Sequence, residues 1–137
     1  MLTAMVAFTV SSWAGDFKVD ISKTHPWGES KFDASTSTIS LTQAWQGCGW
    51  WLAKDCSEYE KVVIKFAKPL PVAATFMVIY KEKDEKGENI KQKMSVPAGS
   101  KEASITLDEK MKSAVNGLGL SGKAAGDIVF KSITIKE

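Results

Sequence analysis

Residues 44–54 read Ala-Trp-Gln-Gly-Cys-Gly-Trp-Trp-Leu-Ala-Lys, and they hold three of the five tryptophans of the chain, two of them adjacent. Adjacent side chains of a β-strand point to opposite faces of the sheet, so Trp50 and Trp51 cannot both lie in a core. Trp50 has the same parity as Leu52, which favours the core side for Trp50. Trp51 then lies with Ala53 on the opposite face, where an exposed indole needs a functional explanation.

Alternation of apolar and polar residues continues on both sides of this stretch and predicts an all-β protein. Strands are predicted at residues 17–21, 36–42, 50–54, 61–67, 76–83, 90–96, 103–107, 118–120 and 128–135. The polar segment 83–88 predicts the tip of a long hairpin, and Lys131-Ser132 breaks the parity of the last strand, which predicts a bulge. About ten short strands without a βαβ rhythm indicate an antiparallel β-sandwich.

Three other segments complete this outline. Residues 108–115 are predicted to form at most one short helix, with Asp108 as N-cap and Asn116-Gly117 as its stop. Residues 6–10 alternate like a strand; the alternative is the remnant of a leader, although the first basic residue, Lys18, follows the apolar run. Residues 23–30 are rich in turn formers and predict a loop. With no linker or repeat, residues 1–137 are predicted to form a single domain.

The composition excludes several classes of function. Apolar residues make up 44% of the chain and charged residues 25%, the balance of an ordinary globular protein. The 18 basic residues, all lysine, nearly balance 16 acidic ones, whereas nucleic-acid binders usually show a basic stripe and arginine. No apolar run reaches the ~20 residues of a spanning helix. We therefore expect no nucleic-acid partner and no membrane span.

No catalytic or metal-binding constellation can be assembled. His25 is the single histidine, and the residues show no metal-ligand spacing and no phosphate-binding glycine motif. Asp55, Glu58 and Glu60 could serve as the acid–base pair of a β-sandwich hydrolase or lyase, or could simply be a turn and a solvated strand edge. The sequence predicts a protein that is not an enzyme.

Cys48 and Cys56 are the only cysteines, and two interpretations stay open. A straight strand between them would span ~26 Å at ~3.3 Å per residue, far more than the ~6 Å between bridged Cα atoms. A disulfide therefore requires a chain reversal, and the alternative is a pair of buried free thiols.

The clustered tryptophans are the candidate binding residues. The apolar face of a pyranose stacks on an indole, while amide side chains bond its hydroxyl groups. Trp51 is the expected main platform, with Trp45 as a second ring and Gln46 as an orienting amide. Further candidates are Trp50, Trp27 and Gln92. The alternative for each ring is core packing or burial against a protein partner.

Gly49-Trp50-Trp51-Leu52, followed by Asp55-Cys56-Ser57-Glu58-Tyr59 and the apolar strand Lys61 to Phe66, resembles carbohydrate-binding modules of the galactose-binding-like jelly-roll type. Val129-Phe130-Lys131-Ser132 is similar to their late strand. Trp50 and Leu52 match recurrent positions of that pattern and Trp51 a variable one, whereas Cys56 replaces the usual leucine. Such modules accompany plant-polysaccharide hydrolases of gut and rumen Bacteroidetes.

The resemblance implies a jelly-roll module that binds a polysaccharide and is covalently linked to a glycoside hydrolase, in a secreted or cell-surface bacterial protein. A planar array of rings favours β-glucan or xyloglucan, with mannan next. No cofactor is required, although a structural calcium is possible in sandwiches of this type. An adhesion or assembly module that binds protein is the first alternative, and a β-sandwich hydrolase or lyase is the second.

Overall fold

The computed structural model describes residues 15–137. Segments in which apolar and polar residues alternate form most of its eleven strands. The strands are β1 (Phe17–Lys18), β2 (His25–Trp27), β3 (Lys31–Asp33), β4 (Thr38–Leu41), β5 (Gly47–Lys54), β6 (Lys61–Phe66), β7 (Ala74–Lys83), β8 (Asn89–Val96), β9 (Glu102–Thr106), β10 (Val115–Gly122) and β11 (Gly126–Lys136). Two 3₁₀ turns, Ile21–Lys23 and Lys112–Ala114, are the only helical segments among the described residues. No helix in residues 15–137 is long and apolar enough to cross a membrane.

The strands form two antiparallel sheets, as the alternation predicts. One sheet has the order β2-β5-β10-β7-β8. The other has the order β3-β4-β11-β6-β9, and β1 pairs with the end of β11. Each sheet turns one face inward, and the side chains of the two inner faces together make the core.

Trp50 lies at the centre of that core. Its side chain is 2% exposed. The indole contacts the Phe130 ring of the opposite sheet in an edge-to-face arrangement, with the ring centroids 5.3 Å apart. The indole Nε1–H donates to Thr24 Oγ1 over 2.7 Å, so the one polar atom of the ring is satisfied. Trp51, the next residue, is 61% exposed, which confirms the prediction from strand parity.

Several predicted elements are confirmed and others are corrected. The β7–β8 hairpin is present, and the register of β11 against β6 shifts between Phe130 and Ser132, where a bulge was predicted. The predicted strand 17–21 shortens to β1, followed by a 3₁₀ turn. The predicted strand at residues 6–10 lies outside the described residues.

Two predictions of local structure were wrong. Residues 25–27 belong to a strand rather than a loop, because Pro26 lies on the edge strand β2, where a missing N–H costs no ladder bond to a further strand. Asn116-Gly117 does not stop a helix: both residues lie in β10, after the 3₁₀ turn that replaces the predicted helix. The Asp108 side chain does accept two N–H groups, but they belong to Lys110 and Met111, which precede that turn.

Candidate functional site

An open groove of about 720 Å³ lies on the outer face of the β2-β5-β10-β7-β8 sheet, and three indoles line it. They come from separate parts of the chain: Trp27 from β2, Trp45 from the loop before β5, and Trp51 from β5. Trp45 and Trp51 are 69% and 61% exposed, the two most exposed large apolar side chains in residues 15–137. The groove therefore brings together three of the predicted binding residues.

The sheet surface under the indoles is the floor of the groove, and two glycines form the part of it that the Trp27 ring covers. A Cβ atom on Gly49 would lie 2.7 Å from Cζ2 of that indole, and one on Gly119 would lie 2.6 Å from its Cη2. Gly49 and Gly119 are paired across β5 and β10, so the absent side chains leave one flat depression for the ring. Any larger residue at either position would lift Trp27 from the sheet.

A third glycine lies beside Trp51. Gly117 is in register with Trp51, and its Cβ would lie 2.5 Å from the Trp50 carbonyl oxygen and 3.4 Å from Cε3 of the Trp51 ring. Since Gly117 has no side chain, the indole of Trp51 is accessible from the centre of the groove. Met77 and Ile79 of β7 continue the floor as apolar side chains.

Trp45 is held by its backbone rather than by packing. Its φ of 71° lies in the left-handed region, which costs a bulky residue roughly 1–2 kcal/mol. The Trp45 N–H donates to the Gly122 carbonyl over 2.8 Å, which fixes the residue against β10. An exposed apolar ring kept at a strained position indicates a functional constraint on this loop.

Gln46 orders the Trp45 loop and does not face the groove. The side chain is 5% exposed; its Oε1 accepts from the Thr42 N–H over 2.7 Å and its Nε2 donates to Thr42 Oγ1 over 2.8 Å. The amide is thus used within the protein, so its predicted role in orienting a sugar is corrected to holding the loop.

Trp50 and Gln92 are also unavailable to a ligand in the groove. Trp50 is buried between the sheets. Gln92 pairs with the buried Val78 on the inward parity of β8, where its Oε1 accepts from Tyr80 Oη over 2.6 Å and its Nε2 donates to the Thr106 carbonyl. These two predicted candidates therefore serve the core.

Polar groups that the sequence did not single out line the groove instead. Asn116 lies where the β10 register shifts, and the side-chain amide of Asn116 forms no hydrogen bond with another described residue. Lys91 and Lys93 of β8, with Glu88 and Asn89 at the hairpin end, form the opposite rim. The alternation Lys-Gln-Lys was a usable signal, because it places both lysines on the face opposite the core-facing Gln92.

The remaining candidates lie elsewhere. Cys48 and Cys56 are free and buried, and burial raises the pKa of both thiols. Asp55 accepts from the Ser57 hydroxyl and N–H in an exposed turn, which lowers the pKa of its carboxyl, and it does not line the groove. No group of three or more His, Cys, Asp or Glu side chains in residues 15–137 is arranged to hold a metal, and a calcium ion stays a prediction.

Solved structures share this architecture. The low-affinity xylan-binding module CBM86 from Roseburia intestinalis matches with a TM-score of 0.62 at 15% identity, over 88% of this chain and 92% of that chain. The family 11 carbohydrate-binding module from Clostridium thermocellum, in complex with a β-1,3-1,4-mixed-linked tetrasaccharide, matches with a TM-score of 0.58 at 14% identity, over 89% and 95%. This chain therefore shares its β-sandwich fold with these two carbohydrate-binding modules.

The same fold also occurs inside longer chains. Xylanase10C (mutant E385A) from Cellvibrio japonicus, in complex with xylopentaose, matches with a TM-score of 0.56 at 12% identity, over 88% of this chain and 28% of that chain. Comparison of the sequence with protein families and with curated proteins finds no match. The TM-scores establish the shared fold. Because the sequence identities are low, the ligand has to be argued from the groove itself.

Proposed function

We propose that this chain is a non-catalytic carbohydrate-binding module that binds plant cell-wall β-glycans by stacking pyranose rings on Trp51, Trp45 and Trp27. The observation that carries the proposal is the convergence of three indoles on one open groove, in which the Trp27 ring lies over two glycines. Exposed indoles of this kind are costly to leave in water, and a ligand with an apolar face removes that cost.

The groove supplies both parts of sugar recognition. The indoles and the floor at Met77 and Ile79 offer apolar surface to the C–H face of a pyranose, and Asn116 offers an amide to its hydroxyl groups. At roughly 1–3 kcal/mol per stacked ring, three rings give a gross ~3–9 kcal/mol before the costs of ordering the ligand. The expected affinity is therefore modest.

The fold and the open groove favour a polymer rather than a single small sugar. β-Glucan and xyloglucan are the first ligands to test and mannan the next, and the xylan and mixed-linked glucan named for the structural neighbours join the panel. We propose that the module directs a covalently linked glycoside hydrolase to this polymer in a secreted or cell-surface bacterial protein. The fold neighbour that forms part of a longer xylanase chain supports this arrangement.

Affinity gel electrophoresis against this panel tests the proposal. Retardation by at least one polymer is expected, and Trp51→Ala and Trp45→Ala should each weaken it about fivefold or more. Phe17→Ala is the matched control, because Phe17 is an exposed aromatic outside the groove. Unchanged retardation of Trp51→Ala would remove the proposed platform, and no retardation by any polymer would favour a protein partner for these rings.

A further inference from the structure

We propose that the groove selects an acidic glycan, a β-linked backbone that carries uronic acids, and that Lys91 and Lys93 bind the carboxylates. The inference rests on the proposed function and specifies the ligand of the same site. The rim that faces the indoles carries the ammonium groups of Lys91 and Lys93. A neutral polysaccharide would give these two charges no role.

The sheet register places each lysine at the end of a row of paired residues, and one row begins at Trp51 while the other passes beneath Trp27. One row runs Trp51, Gly117, Ile79 and Lys91 across β5, β10, β7 and β8. At ~4.8 Å between neighbouring strands, the Cα atoms at its two ends are about 14 Å apart. A sugar stacked on Trp51 thus leaves room for a substituent to reach the Lys91 ammonium across the floor.

The second row runs Gly49, Gly119, Met77 and Lys93, with the Trp27 ring lying over its two glycines. Lys91 and Lys93 are two residues apart on one strand, so both side chains project from the same outer face. The rim therefore presents two parallel ammonium groups to one ligand.

Neither ammonium group is neutralised by a salt bridge within residues 15–137. The single ion pair in that range joins Lys112 to Glu109, far from the rim in sequence. One carboxylate, that of Glu88, lines the groove with the two lysines, so the lining keeps an excess positive charge. The Asp84 carboxylate does not line the groove; it lies with both lysines in an adjacent depression, where it accepts the backbone N–H groups of Lys86 and Glu88.

Lysine suits a carboxylate whose position varies along a polymer. An ammonium group is a point charge with three rotatable donors on a flexible stem, and it imposes less geometry than the fork of arginine, which this chain lacks. Lysines on an edge strand also discourage unwanted strand pairing, but that role predicts no dependence on the charge of a ligand. Ligand charge is therefore the variable to test.

Calorimetric titration with two matched pairs of polymers provides the test. The first pair is glucuronoxylan and the same polymer after reduction of its carboxyl groups to alcohols. The second pair, carboxymethyl cellulose and hydroxyethyl cellulose, changes the backbone to a β-1,4-glucan. Since an exposed ion pair changes affinity by about fivefold or less, we expect a roughly two- to twentyfold preference for the acidic member of a pair, diminished by 0.5 M NaCl.

The double variant Lys91→Gln/Lys93→Gln should lose this preference, because its affinity for the acidic member falls to that for the neutral member. Lys65→Gln/Lys131→Gln is the matched control, because both lysines are exposed on the other sheet, and it should keep the preference. Equal affinity for both members of each pair would overturn the inference and leave the proposed function standing. Failure to bind these polymers and the neutral panel alike would overturn both.

Discussion

Replacing Gly119 with alanine puts a methyl group where the Trp27 ring now lies. The new Cβ would be 2.6 Å from Cη2 of Trp27 and 3.0 Å from Cγ of Met77. Ordinary contacts between carbon atoms are ~3.5–4.0 Å, so the ring has to move by about 1 Å or tilt away from the floor. The variant thus perturbs the platform without removing any aromatic ring.

The expected effect on folding is small. Overpacking costs ~1–3 kcal/mol, whereas alanine in place of glycine within a strand returns ~0.5–1 kcal/mol. Gly119→Ala should therefore lower the free energy of unfolding by about 2 kcal/mol or less, measured by urea denaturation. Gly126→Ala is the control, because its Cβ would meet Pro71 and Val72 at an ordinary 3.4 Å.

The expected effect on binding is larger, since a displaced ring loses part of its ~1–3 kcal/mol of stacking. A loss of ~1.4 kcal/mol raises Kd about tenfold, which titration with the best-binding polymer of the panel would detect. In a Trp27→Ala background the clash with the ring is gone and only the flexible Met77 side chain has to adjust, so Gly119→Ala should then change Kd little further. Full additivity of the two substitutions would refute the role of the glycine floor.

Four further outcomes follow from the same geometry. Gln92→Ala should destabilise the protein by ~1–3 kcal/mol in urea denaturation, because it leaves the buried Tyr80 hydroxyl without its acceptor, and glycan titration should show unchanged affinity. Trp45→Gly should raise stability by up to ~1 kcal/mol, because glycine accepts the left-handed backbone, while it weakens binding; a loss of stability would contradict the strain. Gln46→Ala should weaken binding through the Trp45 loop, and unchanged hydrogen exchange at the Thr42 N–H would contradict that role. Three exposed aspartates have a lowered pKa because a serine hydroxyl and N–H two positions later donate to each: Asp20, Asp33 and Asp55. Their unfolded-state pKa is the higher one, so stability should fall as the pH drops below about 4 through the native pKa values, and replacing the three serines with alanine should flatten that dependence in acid titration.

Strand parity was the sequence feature that predicted most of the site. It separated Trp50 from Trp51, because the period of two is a local property of the backbone that neighbouring residues reveal. The β7–β8 hairpin and the bulge near Lys131 followed for the same reason. Each depends on residues close together in the chain.

Features that depend on distant partners escaped prediction. Gln92 reads as an exposed amide until Tyr80 and Thr106, 12 and 14 residues away, supply its bonds. The glycine floor was not predicted either, since Gly49 and Gly119 acquire their role only when β5 and β10 pair beneath Trp27. Trp27 itself lies on β2, whose proline had indicated a loop. A Gly-x-Gly alternation in two strands was the available signal.

Binding of a glycan to the face that carries the three indoles can be observed at each indole separately. The most direct test records the indole Nε1–H resonances by ¹H–¹⁵N NMR while a β-glycan oligosaccharide that is retained in the affinity gels is added. The signals of Trp27, Trp45 and Trp51 should shift with one common Kd. The signal of Trp50, whose indole N–H is bonded to Thr24 in the core, should stay in place. Unmoved groove signals at saturating ligand, or a shift confined to Trp50, would mean that the glycan does not bind in this groove.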